Sequence, residues 1–316
     1  MRTKWLCVAL ICCPACLRTV EAPARDHAPF PATRHDDGDG VACATAGAGA
    51  GGSTDQPVGR DSFRVMTWNL EWFGDPNHGP IDDARQEDGV VELLDRWRPD
   101  LVALQEVSSR DALASLVDQL HGVAGVIAQA RGAQKLALLY ASERFEVVAV
   151  REISGLDDAG RPPLDVALHD RAADAVLHAV VVHAKSGSDA ADWERRRGFA
   201  AALAPRLSAE HADDALLLLG DFNDGIDGSI VPGRPSPYAA LLATGQYATP
   251  TGDLNAEETA AAPLGTSIDH ILLNRALAPA LVPASVEIAR DDALAQDPAF
   301  LQDISDHFPV TLRLAP

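Results

Sequence analysis

The chain has 316 residues and a formal net charge of −20, long enough for one large domain or two modest ones. Residues 1–60 hold six acids and six bases, so the remaining 256 carry the whole excess, 40 acids against 20 bases. Such acidity repels polyanions at long range and argues against a tight, non-specific DNA-binding module. An enzyme for phosphate esters stays open, provided a local basic patch or divalent cations draw the substrate in.

All five cysteines (Cys7, Cys12, Cys13, Cys16 and Cys43) lie near the N-terminus. The rest of the chain therefore has no disulfide framework, thiolate zinc site or cysteine nucleophile. Residues 1–22 read as an export signal: Arg2 and Lys4 form a positive region, Trp5 to Cys16 is apolar, and Ala15 and Ala22 offer cleavage sites. The apolar run is too short for a stable membrane span. A lipoprotein signal with Cys13 or Cys16 lipidated is the alternative. Residues 23–60, rich in Ala, Gly, Pro and Asp without apolar periodicity, read as a flexible acidic linker.

From residue 61 to 316 short apolar strands alternate with amphipathic helices. Strands are expected at 63–70, 100–107, 135–141, 145–150, 164–168, 175–183, 215–219, 268–273 and 308–313. Helices are expected over Asp82–Trp97, stopped by Pro99, and from a Ser108-x-x-Asp111 capping box to about Leu120. A third, over 190–208, has Trp193, Phe199, Leu203 and Leu207 for its buried face. The mixture suits one α/β domain with helices packed on sheets.

Polar residues gather at the strand ends. The first strand ends at Asn69 and Glu71, the second at Gln105-Glu106, and the run from Ala215 ends in Gly220-Asp221-Phe222-Asn223-Asp224. Ser305-Asp306-His307 precedes the closing strand, with His183 and Asp269-His270 as further cases. A carboxylate ending a buried strand is costly to desolvate unless it is paired, bound to metal or open to a cleft. Asn69, Glu106 and Asp306 are oxygen donors suited to Mg²⁺ or Mn²⁺, with Ca²⁺ as a supporting ion. His183 and His307 suit general acid–base work, with Asp269 able to orient one of them. Lys185 shares a strand face with His183 and reads as a phosphate contact. Arg195-Arg196-Arg197 points several ways around the third helix and reads as a solvated face rather than a phosphate clamp, with Arg197 the one able to turn inward. His78, His121, His169 and His178 read as ordinary surface or loop histidines.

Six motifs occur in order: Met66-Thr67-Trp68-Asn69-Leu70, Leu104-Gln105-Glu106-Val107, Val182-His183-Ala184-Lys185-Ser186, Gly220-Asp221-Phe222-Asn223, Ser267-Ile268-Asp269-His270 and Ser305-Asp306-His307-Phe308-Pro309. Together, over about residues 63–314, they resemble the endonuclease/exonuclease/phosphatase superfamily with its deoxyribonuclease I-like fold. The resemblance implies a four-layer α/β/β/α sandwich, two mixed sheets packed face to face with outer helices, and a catalytic domain spanning 61–316. It implies Glu106 as principal metal ligand, helped by Asn69 and Asp306, with Asp221 and Asn223 positioning the attacking water. His183 and His307 would bracket the phosphate, Asp269 bonding His307. Arg161 matches a position near the substrate groove, a loop arginine being the other reading. Glu71 stands where the abasic-site endonucleases carry an Asp that supports the metal from behind its ligands, a solvated acid being the other reading. Where secreted deoxyribonucleases carry a Glu that orients the histidine matching His183, this chain has Gln134.

The resemblance leaves the substrate open. The motifs of abasic-site repair enzymes, inositol-phosphate phosphatases and sphingomyelinases are incomplete here. The expectation is an exported, monomeric phosphodiesterase acting on nucleic acid, with no membrane span or protein partner implied. A lipid or small-molecule phosphate ester is the second expectation, favoured by the acidic loop 249–266, and a non-catalytic surface module the third.

Overall fold

The computed structural model describes residues 62–156, 160–254, 259–260, 264 and 266–316. The expected export signal and linker lie outside the described residues, as does part of loop 249–266. The first half runs β1 (Phe63–Phe73), α1 (Asp83–Trp97), β2 (Leu101–Val107), α2 (Arg110–Gln119), β3 (Val123–Ile127), β4 (Lys135–Ala141), β5 (Phe145–Glu152) and β6 (Leu164–Asp170). There follow β7 (Ala175–His183), α3 (Ala190–Glu210), β8 (Ala215–Asp221), α4 (Ala239–Leu242), β9 (Tyr247–Ala248) and β10 (Asp269–Asn274). The chain closes with β11 (Glu287–Ile288), α5 (Arg290–Gln296), α6 (Phe300–Asp303) and β12 (Val310–Leu314).

The described strands form two six-stranded mixed sheets, ordered β11-β12-β1-β2-β4-β3 and β5-β6-β7-β8-β10-β9. Strand side chains alternate between faces. Val65, Leu101 and Leu138 from the first sheet meet Val166, Val181, Leu219 and Ile271 from the second in an inter-sheet core. Met66, Trp68, Val102 and Leu104 face the other way, beneath α1 and α2. Val180, Val182, Leu216 and Leu218 pack under α3. The result is the expected α/β/β/α sandwich.

Local chemistry sets the helix starts. Asp82 caps α1 by accepting from the Arg85 amide, and Asp189 caps α3 by accepting from Asp192. For α2 the cap is Ser109, which accepts from the Ala112 amide. The capping box therefore does not start at Ser108, whose buried hydroxyl has no hydrogen-bond partner. The short strands β3, β9 and β11 escaped the pattern reading, because two to five residues carry too little periodicity.

On α3, Trp193, Phe199, Leu203 and Leu207 are buried as expected. The inward arginine is Arg196, fully buried, whereas Arg197 is exposed and pairs with Glu194. His178 is not in a loop: it is a half-buried residue of β7.

Candidate active site

The inward-facing rows of both sheets change from apolar to polar at one end of the sandwich. Val65 is followed at alternate positions by Thr67 and Asn69, Val181 by His183, and Leu219 by Asp221; Asp269 opens the same row as Ile271. Parallel pairing puts Asn69 beside Gln105 and His183 beside Asp221, while antiparallel pairing puts Asp269 opposite Asp221. The site is thus the polar continuation of the inter-sheet core.

Glu106 breaks that alternation. Val102 and Leu104 point toward the helices, so a regular strand would send Glu106 there too. Its φ of +60° coincides with a register shift between Leu104 and Val107. This irregularity re-aims the carboxylate inward, where Oε1 accepts from Asn69 Nδ2 at 3.1 Å and Oε2 from the Trp72 amide at 3.2 Å. Glu71, Trp72 and Asn223 also have positive φ, so left-handed residues cluster around one cleft, as strained backbone does at functional sites. Gly220 has a different necessity: a Cβ there would meet the Val182 carbonyl oxygen at 2.0 Å.

Asp221 is the hub. Its Oδ2 accepts from Asn69 Nδ2 and Asn223 Nδ2, both at 3.0 Å, and its Oδ1 from the Asn223 amide at 2.7 Å. His183 Nε2 lies 3.4 Å from Asp221 Oδ2 and 3.7 Å from Glu106 Oε1. On the other side Asp269 Oδ2 holds His307 Nδ1 at 2.8 Å, and ligand atoms of Asp221, Asp269 and His307 lie within 4.8 Å of one another. Asp306 is half-exposed at the rim, its amide bonded to Glu71 Oε2 at 2.9 Å. Asn69 turns its amide nitrogen, not its oxygen, toward Glu106 and Asp221, and its oxygen accepts from the Glu71 amide.

The two histidines are poised in opposite directions. Burial, with Arg161 and His307 nearby as positive charges, holds His183 well below the ordinary imidazole range. Burial opposes charge on His307 as well, but the Asp269, Asp221 and Asp306 carboxylates outweigh it and hold its pKa well above that range. Among the acids, burial and then Asp269 push Asp221 up to about 7. Burial and then Asp306 push Glu71 up to about 7. Glu106 is also raised, mainly by burial. The carboxylates outnumber the positive charges of His307 and Arg161 beside them, and Asp269 Oδ1 is buried without a hydrogen-bond partner. Hard oxygen donors with an imidazole and no thiolate fit a divalent cation.

The three outer positions behave differently. Lys185 Nζ lies 3.3 Å from Asp192 Oδ1 and donates to the Ser186 carbonyl, so it is drawn toward α3. Arg161 is buried and bonded to Gln134 Oε1 and the Ala184 carbonyl. Gln134 in turn donates to Glu106 Oε2. It leaves His183 Nδ1 buried with no partner.

Two supports escaped the sequence reading. Gln86 of α1 donates to the carbonyls of Leu70, Glu71 and Ile304, tying the segments that carry Asn69 and Asp306. Arg196 pairs with Asp224 at 2.8 Å and donates to the Lys185 and Gly187 carbonyls. Both are polar residues in phase with an apolar helix stripe, which was the available signal.

Several solved structures share this architecture. The human Nocturnin catalytic domain with bound sulfate has a TM-score of 0.61 at 20% identity, covering 80% of this chain and 94% of that one. The 3′ phosphatase NExo from Neisseria, bound to product DNA hairpin, has a TM-score of 0.59 at 20% identity, with 80% and 99% covered. The mannosyl-6-phosphatase of Bacteroides thetaiotaomicron has a TM-score of 0.54 at 14% identity, with 79% and 98% covered. No curated protein matches the sequence. No helix among the described residues is long and apolar enough to cross a membrane. Residues 66–307 match the Endonuclease/Exonuclease/phosphatase family, and the chain belongs to that family.

Proposed function

We propose that the protein is an exported, monomeric, divalent-metal-dependent phosphodiester hydrolase, first of all a nuclease for DNA or RNA. The observation carrying this reading is a pair of buried imidazoles of opposite poise, His183 and His307, beside the same carboxylate, Asp221. Phosphodiester hydrolysis needs an in-line water, donors for the phosphoryl oxygens and a proton for the departing alkoxide.

Glu106 and Asp306 would hold Mg²⁺ or Mn²⁺, with Glu71 beside them and Asn69 fixing Glu106 through its amide nitrogen. When bound there, the cation supplies neutralisation of charge on the phosphoryl oxygens. Asp221, held by Asn69 and Asn223, orients the attacking water and accepts its proton. Asn223 Nδ2 already bonds the Ala184 carbonyl and Asp221, so it keeps the β8 and β7 ends in register. His307, kept cationic by Asp269, gives its Nε2 proton to the departing alkoxide. His183, a neutral imidazole with Nε2 toward Asp221 and Glu106, lines the opposite wall.

Nucleic acid as substrate is supported by the DNA product bound to the structurally similar Neisseria phosphatase. A small phosphate ester is the second reading. It is favoured because Lys185 is paired with Asp192 and Arg161 with Gln134, so neither reaches outward for a polyanion. Export rests on Arg2, Lys4 and the apolar run to Cys16 and is checked by fractionating cells that express the full chain. The substrate test is paired: the purified protein should nick plasmid DNA with Mg²⁺ or Mn²⁺. Hydrolysis of bis-p-nitrophenyl phosphate with DNA and RNA left intact would replace the nuclease reading by the small-ester one.

A further inference from the structure

A second group of histidines and carboxylates lies away from the active site, on the face of the second sheet that α3 covers. His178 sits five residues before His183 on β7 and faces the other way, so roughly 16 Å of strand separates them. Asp165 comes from β6, His211 caps the C-terminus of α3, and Asp214 immediately precedes β8.

Asp165, only 3% exposed, holds both rings at once. Its Oδ1 meets His178 Nδ1 at 2.9 Å and its Oδ2 meets His211 Nε2 at 3.1 Å. A carboxylate only accepts hydrogen bonds, so each ring turns an N–H toward Asp165, and in its neutral form keeps a lone pair on the other nitrogen for a metal. Those other nitrogens converge: His178 Nε2 is 3.8 Å and His211 Nδ1 3.2 Å from Asp214 Oδ2. A tetrahedral metal with bonds of about 2.0–2.1 Å sets its donor atoms about 3.3–3.4 Å apart, a spacing these two distances bracket. Asp214 is half-exposed, so water has access to the remaining coordination positions.

The surroundings carry a net negative charge, which favours a cation. Arg151 pairs with Asp165 and with Glu210, and its Nη2 lies 3.1 Å from His211 Nε2, on the Asp165 edge of the pair. Asp165, Asp214 and Glu210 are set against Arg151 and, at Glu210, Arg206 as well, which leaves one negative charge beside the two neutral imidazoles. One buried carboxylate, Asp165, stands behind both imidazoles, and a carboxylate behind a ligating imidazole fixes ring orientation at zinc sites.

We propose that His178 Nε2, His211 Nδ1 and Asp214 bind a transition-metal dication of the zinc class, oriented by Asp165 and independent of the catalytic centre. Two imidazole donors favour zinc over magnesium or calcium. The metal would tie the C-terminus of α3 to the middle of β7 and the start of β8, the layer beneath which the His183 and Asp221 strands run.

The test is a calorimetric zinc titration of the chelator-treated full chain in excess Mg²⁺, with Co²⁺ absorption as a spectroscopic readout. The wild type should take up one saturable zinc equivalent and give a visible Co²⁺ spectrum with nitrogen ligation. Asp214→Asn, which leaves the Asp165 contacts intact, should lose that equivalent and that spectrum while hydrolysis stays within about twofold of wild type. His178→Gln gives the same reading if Asp214→Asn does not fold. A wild type that takes up no zinc in Mg²⁺ overturns the proposal, as does an equal stoichiometry and Co²⁺ spectrum in wild type and variant.

Discussion

Asp269 Oδ2 accepts a hydrogen bond from His307 Nδ1 at 2.8 Å, and strand pairing sets the same aspartate opposite Asp221. One carboxylate therefore fixes the orientation and charge of an imidazole and raises the charge density around the Asp221 hub. Replacing Asp269 by Asn keeps the shape but removes the charge that holds His307 cationic. Asp269→Asn and His307→Ala should each lower kcat by about 10²–10⁴, the range for loss of a positioned acid or base. Steady-state kinetics on bis-p-nitrophenyl phosphate check this, with circular dichroism to confirm folding.

Glu106 is expected to govern metal affinity. EDTA should abolish hydrolysis, and added Mg²⁺ or Mn²⁺ should restore it. In Glu106→Gln the metal concentration for half-maximal rate should rise at least about tenfold, because a hard cation loses its anionic oxygen donor. Activity followed across a metal titration reads this directly.

Arg196 and Asp224 form a fully buried ion pair. Arg196→Ala leaves Asp224 as an uncompensated buried charge and should destabilise the fold by about 3–5 kcal/mol. Urea denaturation measures it. Arg196→Lys should recover part of the stability but lose activity, because one ammonium cannot reach Asp224 and both the Lys185 and Gly187 carbonyls.

Asp297 links α5 to α1 through Arg85 and accepts from the Ala299 amide at 2.8 Å. That backbone bond, with Arg85, lowers its pKa below the ordinary carboxylate value. A depressed folded-state pKa gives stability that is present above the unfolded value, about 3.9, and lost as pH falls through the folded one. Asp297→Asn should therefore be less stable than wild type at neutral pH, and the difference should shrink on acidification below about pH 4. Denaturation midpoints across pH test the sign.

Much of the fold and site was legible in the residues because it follows period-two alternation. The rows Val65-Thr67-Asn69, Val181-His183 and Leu219-Asp221 write the core and its polar end in adjacent letters. The helix faces of α1 and α3 were legible for the same reason, at period 3.6. Other features were not, because they are set by partners distant in sequence. Glu106 faces the cleft only through a left-handed backbone at a sheet irregularity. Gln134 engages Glu106 and Arg161 rather than His183. Lys185 is captured by Asp192 on the following helix.

The order of the motifs carried the resemblance that implied the sandwich, and the sequence by itself determined an α/β domain and the polar residues that end its strands. Only the tertiary structure decided their charge states and partners. Burial depth and the distances between strands far apart in the chain set both, as His178 demonstrates: an ordinary histidine in the sequence, it meets His211 and two aspartates only once β6, β7 and α3 have packed.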